Sequence, residues 1–244
     1  MDVLEGEVFY VDKPLHWTSF NVVDQIRWKI KKTLKIKNIK VGHAGTLDPL
    51  ATGVMIICTG KATKSIDLFQ NQTKEYIATL KLGATTPSFD LELPVDKIYP
   101  TSHITLERIE NVLHDFEGEI DQVPPIYSAI KVNGERAYKY ARKGEKIELK
   151  SKKLVINELE VLEFALPILK IRIVCSKGTY IRALARDIGE ALESGAHLIT
   201  LQRTRIGDVH LEDCYQLKDL LLYLEHELLN SLPFACKPLK NESF

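Results

Sequence analysis

Apolar positions recur along the chain in two periods, and their alternation lays out its elements. Residues 8–11, Val-Phe-Tyr-Val, form a short apolar run that leads into Asp12-Lys13-Pro14, a strand followed by a turn. Phe20, Val22, Val23, Ile26, Ile30 and Leu34 then fall at helical spacing, behind Thr18 and Ser19, either of which can cap a helix. Residues 54–58 are unbroken apolar sequence, which predicts a buried strand, and residues 62–69 predict a short helix. Residues 74–82 alternate, with Tyr76, Ala78, Leu80 and Leu82 on one face and Ile77 and Thr79 on the other, and the strand stops at Gly83. Leu106, Ile109, Leu113 and Phe116 repeat at helical spacing up to Gly118.

After Pro124-Pro125 the pattern predicts a strand over 126–132, a turn at Asn133-Gly134 and a helix over 135–143 closed by Gly144. Residues 154–164 and 168–175 predict paired strands around Pro167. Ile181, Leu184, Ala185, Ile188 and Leu192 share one helical face, with Arg182 and Arg186 on another. Residues 219–229 predict a last amphipathic helix. No internal repeat interrupts this order.

Composition changes the picture little. In 244 residues, 45% hydrophobic and 27% charged content are those of an ordinary globular chain, enough for one large domain or two small ones. No apolar run reaches the length that spans a bilayer, and the start, with Asp2, Glu5 and Glu7, lacks the basic head of a signal peptide. Cys58, Cys175, Cys214 and Cys236 are widely spaced, with no Cys-x-x-Cys pair, so reduced thiols are expected and a zinc site is not.

Charge is more informative. Lys and Arg number 33 and Asp and Glu number 33, so the formal charge is zero. A nucleic-acid binder is often basic overall, but here the charge is unevenly placed. Arg27, Lys29, Lys31, Lys32, Lys35, Lys37 and Lys40 crowd one stretch, and residues 90–121 are mostly acidic. Such a local patch attracts phosphates from a neutral chain, or is simply a solvated helix end.

That basic stretch runs into Gly42-His43-Ala44-Gly45-Thr46-Leu47-Asp48-Pro49-Leu50-Ala51-Thr52-Gly53, followed by the buried run. Glycines and proline give the stretch an unusual backbone; Asp48 is its only acid and His43 its only other titratable group. Pro49 biases the residues before it toward extended geometry, which aims Asp48 outward. An Asp beside Pro is ordinarily a turn former, and spacing alone does not separate that role from catalysis. Gly60-Lys61 is not a phosphate loop: six residues separate it from Gly53 where four are needed, and Ala62 stands at the Ser/Thr position.

The Asp48 stretch resembles the catalytic motif of the TruB family of tRNA pseudouridine synthases, GHxGxLDPxATG, at nearly every position. Residues 12–19 resemble the family's DKPxGxTS, with His16 where glycine is usual. Residues 124–142 resemble PxYSAxKxxGxRxYxxAR, including Lys131, Arg136, Tyr138 and Arg142. Residues 175–182 match CSKGTYIR, and residues 195–203 resemble GAHxxxLxR. The family loop TDTxDxxG is spelled differently over residues 85–92: Pro87 replaces the first acid, Asp90 keeps the other, and the final glycine is missing.

The resemblance implies an α+β pseudouridine synthase fold, a mixed, mostly antiparallel central sheet flanked by helices with an active-site cleft across it. It implies one catalytic domain over residues 1–244, without the PUA domain usual in bacterial relatives. The implied activity is isomerisation of the T-loop uridine, uridine-55, of tRNA. Asp48 takes the catalytic position. Tyr76 stacks on the target base, Tyr180 lines the site, Arg182 pairs with Asp48, Leu201 lines the base pocket, and His43 stacks into the RNA near the vacated position. Lys13, Asp90 and Lys131 complete the implied substrate-binding set. The implied partner is the tRNA T-arm stem-loop, in the cytoplasm, with no membrane, no obligate protein partner, no cofactor and no metal.

The chemistry is consistent with these residue types. Pseudouridine formation breaks N1–C1′, turns the uracil and rejoins it through C5. A carboxylate can add to the base or support its departure from the sugar. An arginine, always charged, suits a partner that must stay ionised. The target base must leave its stack, at a cost of a few kcal/mol, and an aromatic stacked on it returns about 1–3 kcal/mol. Two rival classes fit less well. A purely RNA-binding protein leaves Asp48, Tyr76 and Arg182 without a task, and an aspartate-based phosphoryl-transfer enzyme needs metal-binding carboxylates that the loop lacks. A guided, complex-bound pseudouridine synthase is the nearest rival within the same chemistry.

Overall fold

The computed structural model describes residues 1–132, 134–145 and 147–231. Its contacts divide the chain into two compact units, one of residues 1–70 with the segment from 208 onward, the other of residues 71–207.

The first unit opens with β1 (Val8–Lys13), α1 (Ser19–Leu34), β2 (Val41–His43) and β3 (Ala51–Thr59), then a 3₁₀ turn (Gly60–Ser65) and α2 (Ile66–Asn71). β3 runs antiparallel to β1 and to β2. Thr18 caps α1: its hydroxyl accepts from Asn21 N–H while the Asn21 side chain accepts from Thr18 N–H. Val22, Val23, Ile26 and Ile30 form the buried stripe of α1 against Val11, Met55 and Ile57. Phe20, expected on that stripe, is 61% exposed. Its position lies roughly a quarter turn away from the stripe's centre.

The second unit carries β4 (Lys74–Leu82), β5 (Ala84–Thr85), β6 (Lys97–Ile98), α3 (Leu106–Asp115), β7 (Gly118–Gln122), β8 (Lys131–Val132), β9 (Glu135–Arg136) and α4 (Ala137–Lys143). β10 (Lys152–Ala165), β11 (Ile168–Cys175), α5 (Ile181–Ala191) and β12 (Ala196–Ile206) complete it. Its sheet is antiparallel in the order β12-β4-β11-β10-β7. The alternation of β4 is as the sequence predicts: Tyr76, Ala78, Leu80 and Leu82 are buried, and α5 packs on β4 and β12 through Ile181, Leu184, Ala185 and Ile188. On the other side of this sheet Arg172 bonds Glu160, Glu75 and Glu158 at 2.8, 3.2 and 2.6 Å.

The chain then returns to the first unit with β13 (Val209–His210), β14 (Tyr215–Gln216) and α6 (Leu217–Ser231). β14 lies parallel to β1, which makes the strand pairing mixed, and Leu217, Leu220, Leu224 and Leu228 of α6 join the core beside α1.

Three elements depart from the pattern. The strand expected over 126–132 is reduced to its last two residues. The Tyr127 carbonyl accepts from Arg182 and the Ser128 carbonyl from Tyr138 N–H, so these groups bond outside any ladder. Asn133 of the expected turn lies outside the described residues. The helix expected from residue 62 starts as the 3₁₀ turn, and the eleven-residue β12 had no strand signal because Gln202, Arg203 and Arg205 break its apolar alternation. Cys58 and Cys175 are buried free thiols, and Cys236 lies outside the described residues. No helix among the described residues is long and apolar enough to cross a membrane.

Candidate active site

In the first unit the chain reverses between β2 and β3, and Asp48 stands in that reversal. Gly45 and Gly53 sit at φ 108° and 105°, a region where a Cβ is strained, which is why glycine occupies both positions. The loop is held largely through its main chain. Ala51 N–H donates to Asp48 C=O at 3.0 Å, closing a turn around Pro49, and Ala44 N–H donates to Ile56 C=O at 2.9 Å. The buried Ser19, first residue of α1, grips Leu47 twice: its hydroxyl accepts from Leu47 N–H at 2.8 Å and donates to Leu47 C=O at 3.0 Å. His16 N–H donates to Pro49 C=O at 2.8 Å. The residues on both sides of Asp48 are thus fixed, while its own side chain is only half-buried.

The DKP segment locks into the same loop. Asp12 accepts from Gly53 N–H at 3.0 Å with one oxygen and from Gln216 Nε2 at 3.0 Å with the other. Lys13 is wholly buried, and its ammonium donates to Pro14 C=O at 2.8 Å and Trp17 C=O at 2.6 Å. A buried charge needs such partners; they hold the turn that delivers Ser19. His16 adopts φ 65° with an exposed side chain, a left-handed conformation that costs a non-glycine residue about 1 kcal/mol. His43 ends β2 opposite Ile57 and is half-buried.

In the second unit the centre is Arg182, second residue of α5 and 5% exposed. Nη1 donates to Ser88 C=O at 3.1 Å and Nη2 to Tyr127 C=O at 2.9 Å. Nε lies 3.6 Å from Asp90 Oδ2. Asp90 is itself buried and accepts from Glu92 N–H at 2.9 Å; its carbonyl accepts from Thr86 Oγ1 at 2.7 Å. The single acid this loop shares with the TDTxDxxG spelling is therefore the one that meets Arg182. Phe89 between them is left-handed at φ 62°, with the Arg186 guanidinium 5.1 Å from its ring centre.

Tyr180 is fixed through its backbone: its N–H donates to Gln122 Oε1 at 2.9 Å and its C=O accepts from Gln122 Nε2 at 3.2 Å. Tyr76 lies opposite Ile173 and Arg203, and Leu201 opposite Ala78, so Tyr76, Arg203 and Leu201 share one sheet face. Tyr76 is 8% exposed. Lys131 stands exposed on the two-stranded ribbon of β8 and β9.

Lys74, two residues from Tyr76 on the same face, is lowered to about 8, first by burial and then by the charge of Arg203. Burial raises the thiols of Cys58 and Cys175 to about 11, so both stay protonated near neutral pH. Gln122 and the Ser88 and Tyr127 carbonyls had no signal in the sequence, being a lone glutamine and two backbone oxygens, and the buried Arg203 was marked only as the last position of the GAHxxxLxR resemblance.

The comparisons with known proteins bear on most of the chain. Residues 31–181 match the family model described as TruB family pseudouridylate synthase (N terminal domain), and residues 182–233 match the one described as tRNA pseudouridylate synthase B C-terminal domain. The chain is 65% identical over 229 residues to a tRNA pseudouridine synthase B of Parabacteroides distasonis, covering 94% of this chain and 97% of that one. It is 52% identical to the protein of the same name from Flavobacterium johnsoniae, covering 92% and 97%. Among solved structures it is similar to a chain of a Cbf5-Nop10-Gar1 complex, at 31% identity and TM-score 0.69, covering 95% of this chain and 58% of that one. It is also similar to a chain of an H/ACA RNP bound to a substrate RNA containing 2′-deoxyuridine, at 29% identity and TM-score 0.66, covering 95% and 57%.

Proposed function

The chain belongs to the TruB family of pseudouridylate synthases, and from that premise we propose that it isomerises the T-loop uridine, uridine-55, of tRNA to pseudouridine. It is an isomerase with the pseudouridine synthase fold, a mixed, mostly antiparallel sheet with helices. The observation that carries the reading is the complete Gly42–Gly53 motif, with both neighbours of Asp48 pinned by Ser19 and His16.

In this reading Asp48 acts on the extruded uridine, as nucleophile or as the group that supports loss of the base. N1–C1′ breaks, the uracil turns, C5–C1′ forms, and the C5 proton leaves as N1 regains one. Every atom of the product comes from uridine and exchangeable protons. Preorganisation is the protein's main contribution: a carboxylate fixed by its neighbours needs no rearrangement when the base arrives. Arg182, by its place in the family pattern, acts on the Asp48 carboxylate. Tyr76 stacks on the base, Tyr180 and Leu201 line its pocket, and His43 occupies the gap left in the RNA. Lys13, Asp90 and Lys131 support the substrate, the first two by holding the Asp48 loop and Arg182 in place.

Residues 1–244 act as one catalytic domain, in the cytoplasm, without an obligate protein partner or cofactor. The test is incubation of the purified chain with an unmodified tRNA T-arm stem-loop, with pseudouridine mapped by mass spectrometry. Native protein is expected to yield one modified position and Asp48→Asn none. Equal product from Asp48→Asn would remove Asp48 from the chemistry, and absence of product from the native chain acting alone would favour a requirement for other components.

A further inference from the structure

One face of the first unit has no part in that chemistry. Opposite its buried stripe, α1 carries Asp24, Trp28, Lys31 and Lys32, with Phe20 at the edge of that face and Lys35 just past the helix end. Trp28 is 52% exposed and Phe20 61%. Neither ring joins the core cluster of this unit, and both carry cations: Lys32 Nζ lies 4.7 Å from the Trp28 ring centre and the Arg27 guanidinium 5.9 Å from that of Phe20. Asp24, Gln25, Arg27, Trp28 and Lys31 line an open depression of about 510 Å³.

The charge of this face is one-sided. Its acid, Asp24, is held by Arg27 at 2.5 Å. Lys29 points elsewhere, to Glu225 at 2.9 Å. Lys31, Lys32, Lys35, Lys37 and Lys40 make no ion pair among the described residues. Their common complement is a polyanion.

We propose that the outer face of α1 is a second RNA-contact surface, where Trp28 stacks an unpaired base of the bound RNA and Lys31, Lys32 and the lysines after α1 meet the flanking phosphates. The proposal rests on the reading that the substrate is RNA. An exposed aromatic set among cations is the design of sequence-tolerant single-strand binding, whereas a protein interface depletes charge at its centre. Geometry links the face to the catalytic loop. Ser19 at the start of α1 grips Leu47, and Trp28 lies nine residues further, about 14 Å along the helix.

The test compares the full-length native chain with Trp28→Ala, Trp28→Phe and a Lys31→Gln/Lys32→Gln double variant. Affinity for unmodified tRNA is measured by filter binding over a range of salt, and turnover at saturating tRNA. Trp28→Ala is expected to weaken binding on the order of tenfold, with Trp28→Phe recovering most of it. The double variant is expected to lower the slope of log K against log salt by about 1.4–1.8. kcat stays at the native value in all three, since none touches the Asp48 loop. Native affinity and slope in these variants, with turnover intact, would overturn the proposal and leave the face to a protein partner. A fall in kcat at saturating tRNA would overturn it too, by moving the face into the chemistry. If the native chain bound tRNA but made no pseudouridine, the catalytic reading would fail while the binding measurements still decided the role of α1.

Discussion

The Asp48 loop is held mainly through its own backbone, whereas Arg182 is held by groups drawn from distant segments. In the loop, Leu47, Pro49, Ala51 and Gly53 offer main-chain atoms, and the partners Ser19, His16 and Asp12 lie within one short stretch of sequence before it. Around Arg182, the Ser88 and Tyr127 carbonyls and the Asp90 carboxylate come from positions 94, 55 and 92 residues away. The first arrangement draws on main-chain atoms of the loop, with Ala44, Leu47 and Ala51 also buried beneath it. The second depends on one guanidinium whose planar fork donates to both carbonyls while its charge lies beside the Asp90 carboxylate. Rigidity of the carboxylate therefore comes from loop geometry, and rigidity of the arginine from side-chain chemistry.

The largest expected effect strikes the second arrangement. Arg182→Lys removes the fork and leaves the Ser88 and Tyr127 carbonyls without donors, and charge-assisted bonds contribute about 1.5–3 kcal/mol each. Turnover is expected to drop by about two orders of magnitude with the fold retained by circular dichroism. A kcat within threefold of native would show that the fork is dispensable.

Lys74→Met probes the buried charge near Tyr76. Its folded value of about 8 lies below the ordinary 10.5, so the unfolded chain holds the proton longer across that window. Charging Lys74 in the folded state is unfavourable below about 8, and native stability relative to the variant should rise as pH climbs from about 8 to 10.5. The full difference is up to about 3 kcal/mol. Cys58 titrates alike in both proteins and cancels, whereas Cys175, whose thiol the Lys74 charge pulls down, titrates differently in the variant and contributes to the difference above pH 9. Denaturant unfolding at several pH values measures the difference, and a flat difference curve would place the Lys74 charge in a compensated setting.

Ser19→Ala strikes the first arrangement. It leaves the buried Leu47 N–H and C=O without their partner, a cost of about 1–3 kcal/mol in unfolding free energy. Activity should fall with it, because Leu47 precedes Asp48. Loss of stability with native kcat would mean that the loop keeps Asp48 aimed by its other bonds alone.

The smallest effect is expected from His16→Gly. Glycine relieves the left-handed strain at φ 65°, and its greater unfolded freedom offsets part of the gain, so stability should rise by less than about 1 kcal/mol. A clear loss would show that the imidazole makes a contact of its own.

Much of both regions was legible before folding, unequally. The Gly42–Gly53 motif is contiguous, so its residue types, its glycine positions and the isolation of Asp48 could be read directly. The strand of residues 74–82 and the face carrying Tyr76 followed from strict alternation. The Arg182 cluster was legible only as a motif position, since neither its carbonyl partners nor Gln122 beneath Tyr180 leaves a trace in local pattern. β12 was missed for a related reason: polar residues that the sheet buries or pairs look like a loop until the pairing is known.

The sequence alone determined the loop, the helix and strand periods and the family, because each rests on residues near one another along the chain. Tertiary structure alone decided that Asp90 lies beside Arg182, that Gln122 fixes Tyr180, that Lys29 meets Glu225, and that Trp28 stands half-exposed beside Lys32. Those facts depend on which distant groups fold into hydrogen-bonding distance, which no local period encodes; the period of α1 marked its buried stripe but not the partners its other side chains would find.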